Sequence, residues 1–132
     1  MATVSFASCV ISTEDVNVRV RKAGEALSVG DLVETSSLDV STKVDVTQAL
    51  TGTLGICITA AALNEGVVIV ETECTLNGVT ATEGTTLYAK GTGLIGDSYS
   101  TDLASTEYVF RVGTGLGTSV LVDLKDAGIQ KT

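Results

Sequence analysis

An all-β fold, a compact sandwich or barrel of short strands built from two similar halves with an extended N-terminal arm, is what this sequence predicts, on three observations. Apolar and polar residues alternate at strand period in segment after segment, and no helical period persists beyond two turns. Thr, Val, Gly and Ser are abundant while proline, histidine and tryptophan are absent, the composition of strands separated by glycine turns. The chain also repeats its own pattern at an offset of about 54 residues, a period typical of a duplicated supersecondary unit. Val33 aligns with Leu87, Val40 with Leu94, Leu54 with Tyr108, Ile56 with Phe110 and Ile58 with Val112. Near the end the offset slips by two, placing Ile69 on Leu121 and Val70 on Val122; an even slip keeps every side chain on its own face of a strand.

Residues 1–22 stand outside the repeat and read as an N-terminal arm or edge strand. Val4 and Phe6 alternate, and Val16, Val18 and Val20 alternate with Asn17, Arg19 and Arg21, the pattern of a half-buried strand. Arg19, Arg21 and Lys22 gather three of the eight basic residues of the chain in four positions. Two readings fit: a solvated strand edge whose charges discourage pairing, or an arm that adds to a neighbouring subunit or an acidic partner surface. Under the second, Val4, Phe6, Val16, Val18, Arg19, Val20, Arg21 and Lys22 are the candidate partner-binding residues.

The repeated domain spans residues 23–125. Gly24 and Gly30 are spaced for turns around a short strand, residues 36–41 are loop-like, and Val44 and Val46 share a strand face. Asp45 is placed to cap one turn over residues 46–50. Leu54, Ile56 and Ile58 alternate with Gly55, Cys57 and Thr59, and residues 59–65 form a helical turn or a tight connection before Gly66. Residues 67–73 are apolar on both faces at their centre, which places that strand inside the fold. Asn77-Gly78 is a strong tight-turn dipeptide, so the chain is expected to fold back there and join the two halves. The second half repeats the order, with strands at 85–89, 108–113 and 119–125 and one helical turn near 101–105. Residues 126–132 read as a loose tail.

A chain of 132 residues is one domain by length and buries enough surface to fold without a metal or disulfide. Its net charge of −8 opposes nucleic acid and anionic membranes as partners, and no apolar run reaches the length of a span. Cys9, Cys57 and Cys74 show no metal or redox spacing and read as small buried hydrophobes, reduced, in a protein made in a reducing cytoplasm. The N-terminus lacks the basic region and long apolar core of a secretory signal. Gly91-Thr-Gly93-Leu-Ile-Gly96 spells G-x-G-x-x-G, yet no apolar-periodic helix opens at its third glycine, as a dinucleotide site requires. The glycines of residues 113–119 lack the lysine of a P-loop. Without histidine the Ser-His-Asp and Cys-His routes are closed. Glu71 and Glu73 share a strand face, as do many solubilising carboxylates in acidic chains. The expectation is a protein that is not an enzyme and uses no cofactor or metal.

Residues 23–33, AGEALSVGDLV, then 52–58, GTLGICI, 64–70, NEGVVIV, and 81–88, ATEGTTLY, give a "G-D-x-V, G-I-x-x-x-A, E-G-x-V-x-V" rhythm whose E-G step recurs in the second half. In this the chain resembles the small capsid decoration (cement) proteins of tailed bacteriophages, across about residues 23 to 125. The resemblance implies an all-β domain, usually a homotrimer, on the outer face of a virion, bracing neighbouring copies of the major capsid protein without catalysis or cofactor. Residues 1–22 depart from it, being longer and more strand-like than the family's short lead. A phage tail or head-fibre base module, and a bacterial surface module binding a carbohydrate or protein, share the Thr/Gly/Ser composition. The carbohydrate reading wants aromatic platforms, and this chain has three Tyr, two Phe and no Trp.

Overall fold

A computed structural model describes residues 3–11 and 18–132. Among the described residues eleven strands form two sheets, accompanied by one four-residue helix. The first is a closed barrel of β2 (Val18–Ala23), β4 (Val40–Lys43), β3 (Leu32–Thr35), β5 (Thr53–Cys57) and β6 (Gly66–Val70), in that order around the ring. The second is an open sheet in the order β1 (Val10–Ile11), β7 (Cys74–Ala81), β11 (Gly117–Gln130), β10 (Tyr108–Gly115), β8 (Thr86–Lys90) and β9 (Leu94–Gly96). The helix α1 (Tyr99–Asp102) lies between β9 and β10.

The sequence repeat is legible in this topology. Pairing β2 with β7, β3 with β8, β4 with β9, β5 with β10 and β6 with β11 makes the two sheet orders the same. The four antiparallel pairs β2·β6, β3·β4, β3·β5 and β5·β6 recur as β7·β11, β8·β9, β8·β10 and β10·β11. Gly30 and Gly84, equivalent in the repeat, both adopt positive φ, of 91° and 82°. The halves differ in one pair: β2 runs parallel to β4 and closes the first barrel, whereas β7 and β9 are not hydrogen-bonded neighbours.

Alternation along β5 explains how the strands are buried on both faces. Cys57 joins Ala23, Leu27, Val33, Ala61, Val67 and Ile69 inside the barrel. Leu54 and Ile56 point outward into the main core, with Leu32 and Val70 from the barrel wall and Leu76, Leu87, Ile95, Phe110, Val112, Val120 and Val122 from the open sheet. The barrel is too narrow for a side chain at every inward position: a Cβ on Gly55 would overlap the Ile69 side chain. Within the buried wall, the Thr35 and Ser41 hydroxyls bond each other at 2.8 Å. Thr35→Val is expected to lower unfolding free energy by about 1–3 kcal/mol, because it leaves the other buried hydroxyl unsatisfied, while Thr35→Val with Ser41→Ala should recover most of that loss; urea titration measures both.

Four expectations are corrected here. Asn77 and Gly78 lie within β7, where Ala81 pairs with Gly117 and Asn77 with Ser119, so the dipeptide marks a bulge. Gly78 takes φ 79°, the conformation a bulge glycine supplies, and the halves join at residues 71–73 instead. Asp45 accepts from the Thr47 amide and hydroxyl, closing a turn with no helix after it. The helical turn falls at Tyr99–Asp102, a little before its expected place. Residues 126–130 continue β11 against β10, with Asp126 opposite Phe110 and Gln130 opposite Tyr108, because main-chain pairing does not depend on how polar the side chains are. Lys131 then donates from Nζ to the carbonyls of Tyr99, Ser100 and Leu103 at 2.6–3.1 Å, satisfying the end of α1 as a C-terminal cation does.

Candidate interaction surface

The candidate residues of the N-terminal arm separate into three groups. Val4 and Phe6 are buried in the main core, so they present no exposed side chain to an outer surface. Their segment is held by the Val4 amide bonding to the Ile95 carbonyl at 2.9 Å and by a bridge from Thr3 to Gly96. Val16 lies outside the described residues. Residues 18–22 belong to β2, a strand of the barrel's own sheet, so they form no free arm.

Within β2 the two faces do different work. The register sets Arg19 opposite Ile69 and Arg21 opposite Val67, and sets Val18, Val20 and Lys22 opposite Val70, Val68 and Gly66. Arg21 thus shares the inward face and meets Glu71 at the barrel's end: its Nε and Nη2 donate to the two Glu71 carboxylate oxygens at 3.1 and 2.9 Å, and Nη1 donates to Asp39 at 2.6 Å. The Glu71 side chain is only 9% exposed. The hydrogen bond to Glu71, more than any other influence, holds the Arg21 guanidinium pKa above its ordinary value. Arg21 is therefore a structural clamp between β2, β6 and the β3–β4 turn.

Val18, Val20, Arg19 and Lys22 remain. Val20 is 72% exposed and Val18 is exposed as well. The Lys22 amide donates to the Asp39 carbonyl while the next amide, of Ala23, donates to Glu65 on the other side. By the two-residue period of a strand, the Val18 and Val20 amides point away from β6, toward the β4 side. There β4 pairs only with Lys22 and Ala23, so among the described residues positions 18–21 have no strand partner on that side. Neither Arg19 nor Lys22 has an ion-pair partner among the described residues. The result is an open strand edge with two exposed valines and two uncompensated cations, on a chain whose net charge is −8. Sequence parity located these residues; it could not show which of the arginines was spent on a carboxylate fifty positions away.

Other sites offer less chemistry. A cleft of about 220 Å³ lies between residues 3–7, the turn 29–31 and β9; its one carboxylate, Asp31, already accepts from the Ser28 amide. Among the described residues no group of three or more acidic, cysteine or histidine side chains is placed to hold a metal. Phe6 and Phe110 are buried, Tyr108 stacks on Phe110, and Tyr88 packs edge-on against Tyr99, so the rings are engaged with one another more than with solvent. Gly91 and Gly93 turn the chain from β8 into the strand β9, and the four-residue α1 begins beyond Gly96, so the G-x-G-x-x-G run opens no helix at its third glycine.

The three cysteines are free and buried. Burial raises the thiol pKa of each, with Cys57 pushed up to about 12 and Cys74 to about 11. Native protein at pH 8 is expected to resist thiol alkylation, and denatured protein to take up three labels, because the thiolate is the reactive form. In the folded state these pKa values lie above the ordinary thiol value of 9.0, so unfolding releases protons once the pH passes that value. Stability is then fully present below about pH 9 and declines between about pH 9 and 12. Cys57→Ala should flatten that alkaline decline in a series of melting curves.

No family model, no curated protein and no solved structure matches this chain.

Proposed function

We propose that this chain is a structural protein of a phage particle that binds the outer capsid surface as a homo-oligomer, a trimer by the resemblance, and braces neighbouring capsid subunits. The observation that carries the reading is the open edge of β2. A strand edge with exposed Val18 and Val20 pairs readily with an extended segment of a partner, and Arg19 and Lys22 favour a partner surface that is acidic there. The rest of the chain repels such a surface, so attachment is confined to one side and the acidic domain faces solvent. A bracing protein needs no single strong contact, since several linked weak ones raise effective concentration. The compact build, a closed barrel packed on an open sheet through one shared core, suits this role, giving a rigid body that transmits strain between the contacts of its copies.

Binding of the purified protein to empty phage shells, measured as occupancy across a salt series, tests the reading. Val20→Glu sets a carboxylate against an acidic partner surface and is expected to weaken occupancy roughly tenfold or more, comparable to losing a central contact worth about 1–2 kcal/mol. Arg19→Glu with Lys22→Glu is expected to weaken it most at low salt, where charge screening is least. Unchanged occupancy in both folded variants would remove β2 from the contact, and no shell binding by the wild-type protein would remove the function. Sedimentation that finds only monomer at micromolar concentration, free and on shells, would remove the oligomer.

A further inference from the structure

The one asymmetry between the halves has a structural answer. The first barrel closes when β2 meets β4 directly, Lys22 opposite Val40 and Ala23 opposite Ser41. In the second half the equivalent strands β7 and β9 are not paired with each other, and residues 3–11 occupy the gap: Thr3 and Val4 bond along β9, while Val10 and Ile11 pair with Asn77 and Leu76 of β7. Between these anchors Phe6 and Cys9 enter the core. Two glycines make room for this strap. A Cβ at Gly30 would come within 2.5 Å of the Phe6 backbone, and one at Gly78 within 2.5 Å of the Ser8 carbonyl oxygen. Gly78 is the repeat equivalent of Gly24, whose amide bonds β4 through Ser41 at 2.8 Å. The strap therefore stands where the second half's own β4 equivalent would have closed the ring.

We propose that the slot between β7 and β9 is an exchangeable docking site whose occupant is residues 3–11 of this chain, supplied either by the same copy or by a second copy, so that two copies associate by trading straps. The fit of the occupant is visible, since the segment fills the slot with two strand edges and three buried side chains, Val4, Phe6 and Cys9. The same contacts form whichever copy donates it. Only residues 12–17 join the strap to β2, and a six-residue connection reaches up to roughly 20 Å, enough to pass to an abutting copy. This inference stands whether or not the protein decorates a shell.

A complementation experiment tests it on the full chain. Phe6→Asp spoils the strap and leaves the slot intact; Gly78→Val blocks the slot and leaves the strap intact. Mixed at about 10 µM under reducing conditions, they are expected to form a one-to-one heterodimer, in which the good strap of one copy enters the good slot of the other, with a melting transition several degrees above either variant alone. In parallel, a synthetic peptide of residues 3–11, TVSFASCVI, is expected to bind full-length Phe6→Asp with one-to-one stoichiometry and raise its melting temperature, while the same peptide carrying Phe6→Asp does neither. No heterodimer together with no peptide effect overturns the proposal, and this holds even if Phe6→Asp is unfolded on its own, because an intact strap supplied in trans should then restore its structure. Peptide binding without a heterodimer overturns exchange between copies and leaves the slot as a purely internal closure.

Discussion

Arg21→Glu should cost the protein about 3 kcal/mol or more of its stability. Removing one partner of a buried pair leaves the other charge uncompensated, at about 3–5 kcal/mol; the low end applies because the Arg21 side chain keeps 20% of its exposure. Charge reversal adds repulsion, since a third carboxylate would face Glu71 and Asp39, which now accept from the Arg21 guanidinium. The damage falls on the first barrel, where Arg21 ties β2 to β6 and to the β3–β4 turn. Guanidinium titration of Arg21→Glu, beside Arg19→Glu as an exposed control, measures it; the control is expected to stay within about 0.5 kcal/mol of wild type. Exchanging the charges, Arg21→Glu with Glu71→Arg, should recover part of the loss, and equal stability of the two single variants would refute the clamp. The result also governs how shell binding is tested: lost occupancy in Arg21→Glu reports a damaged barrel, whereas Arg19 and Lys22 can be reversed with the fold intact.

The contrast between these neighbouring arginines shows where sequence reading stops. Alternation along residues 18–22 identified a strand and its two faces, because side-chain parity is local. Which face meets protein is set by residues far away in the chain, and one carboxylate at Glu71 turns Arg21 inward in function as well as direction. The repeated all-β plan was legible for the same local reason: the spacing of Leu54, Ile56 and Ile58 and its echo at Tyr108, Phe110 and Val112 depend only on strand period and on the repeat of the pattern. The fate of Val4 and Phe6 was not, since an apolar pair near a terminus reads alike whether it fills its own core or a partner's. Nor was the bulge at Gly78, because a glycine of positive φ serves a turn and a bulge equally well, and the choice is made by the strap carbonyl at Ser8 that approaches it. The continuation of the last strand through residues 126–130 was missed because their exposure reads as a loose tail, while their backbone completes a ladder with β10.

Gly113→Val is expected to be the most damaging single change in the open sheet, abolishing a folded state at 25 °C or lowering stability by more than about 4 kcal/mol, a loss found only where a specific packing rule is broken. Gly113 sits in β10 at a register shift, opposite Val122 of β11 and beside Leu87 of β8. A Cβ there would fall on the Leu121 carbonyl oxygen and within 3.0 Å of Val122 Cα. Both obstacles are backbone, so no rotamer change can clear them, and β10 must part from β11 along the pairing that runs from Tyr108 to Gly115. Steric room and backbone angle can be separated by comparison with Gly84 and Gly117, which have φ of 82° and 98° but would meet nothing within 4 Å. Alanine at either is expected to cost about 1–2 kcal/mol, the penalty of a left-handed conformation for a residue with a Cβ. Denaturant unfolding of Gly113→Ala, Gly113→Val, Gly84→Ala and Gly117→Ala gives the ranking. Gly113 does not adopt a positive φ, so a Gly113→Ala loss no larger than those at Gly84 and Gly117 would mean that the close approach of β11 to β10 is not what fixes glycine there.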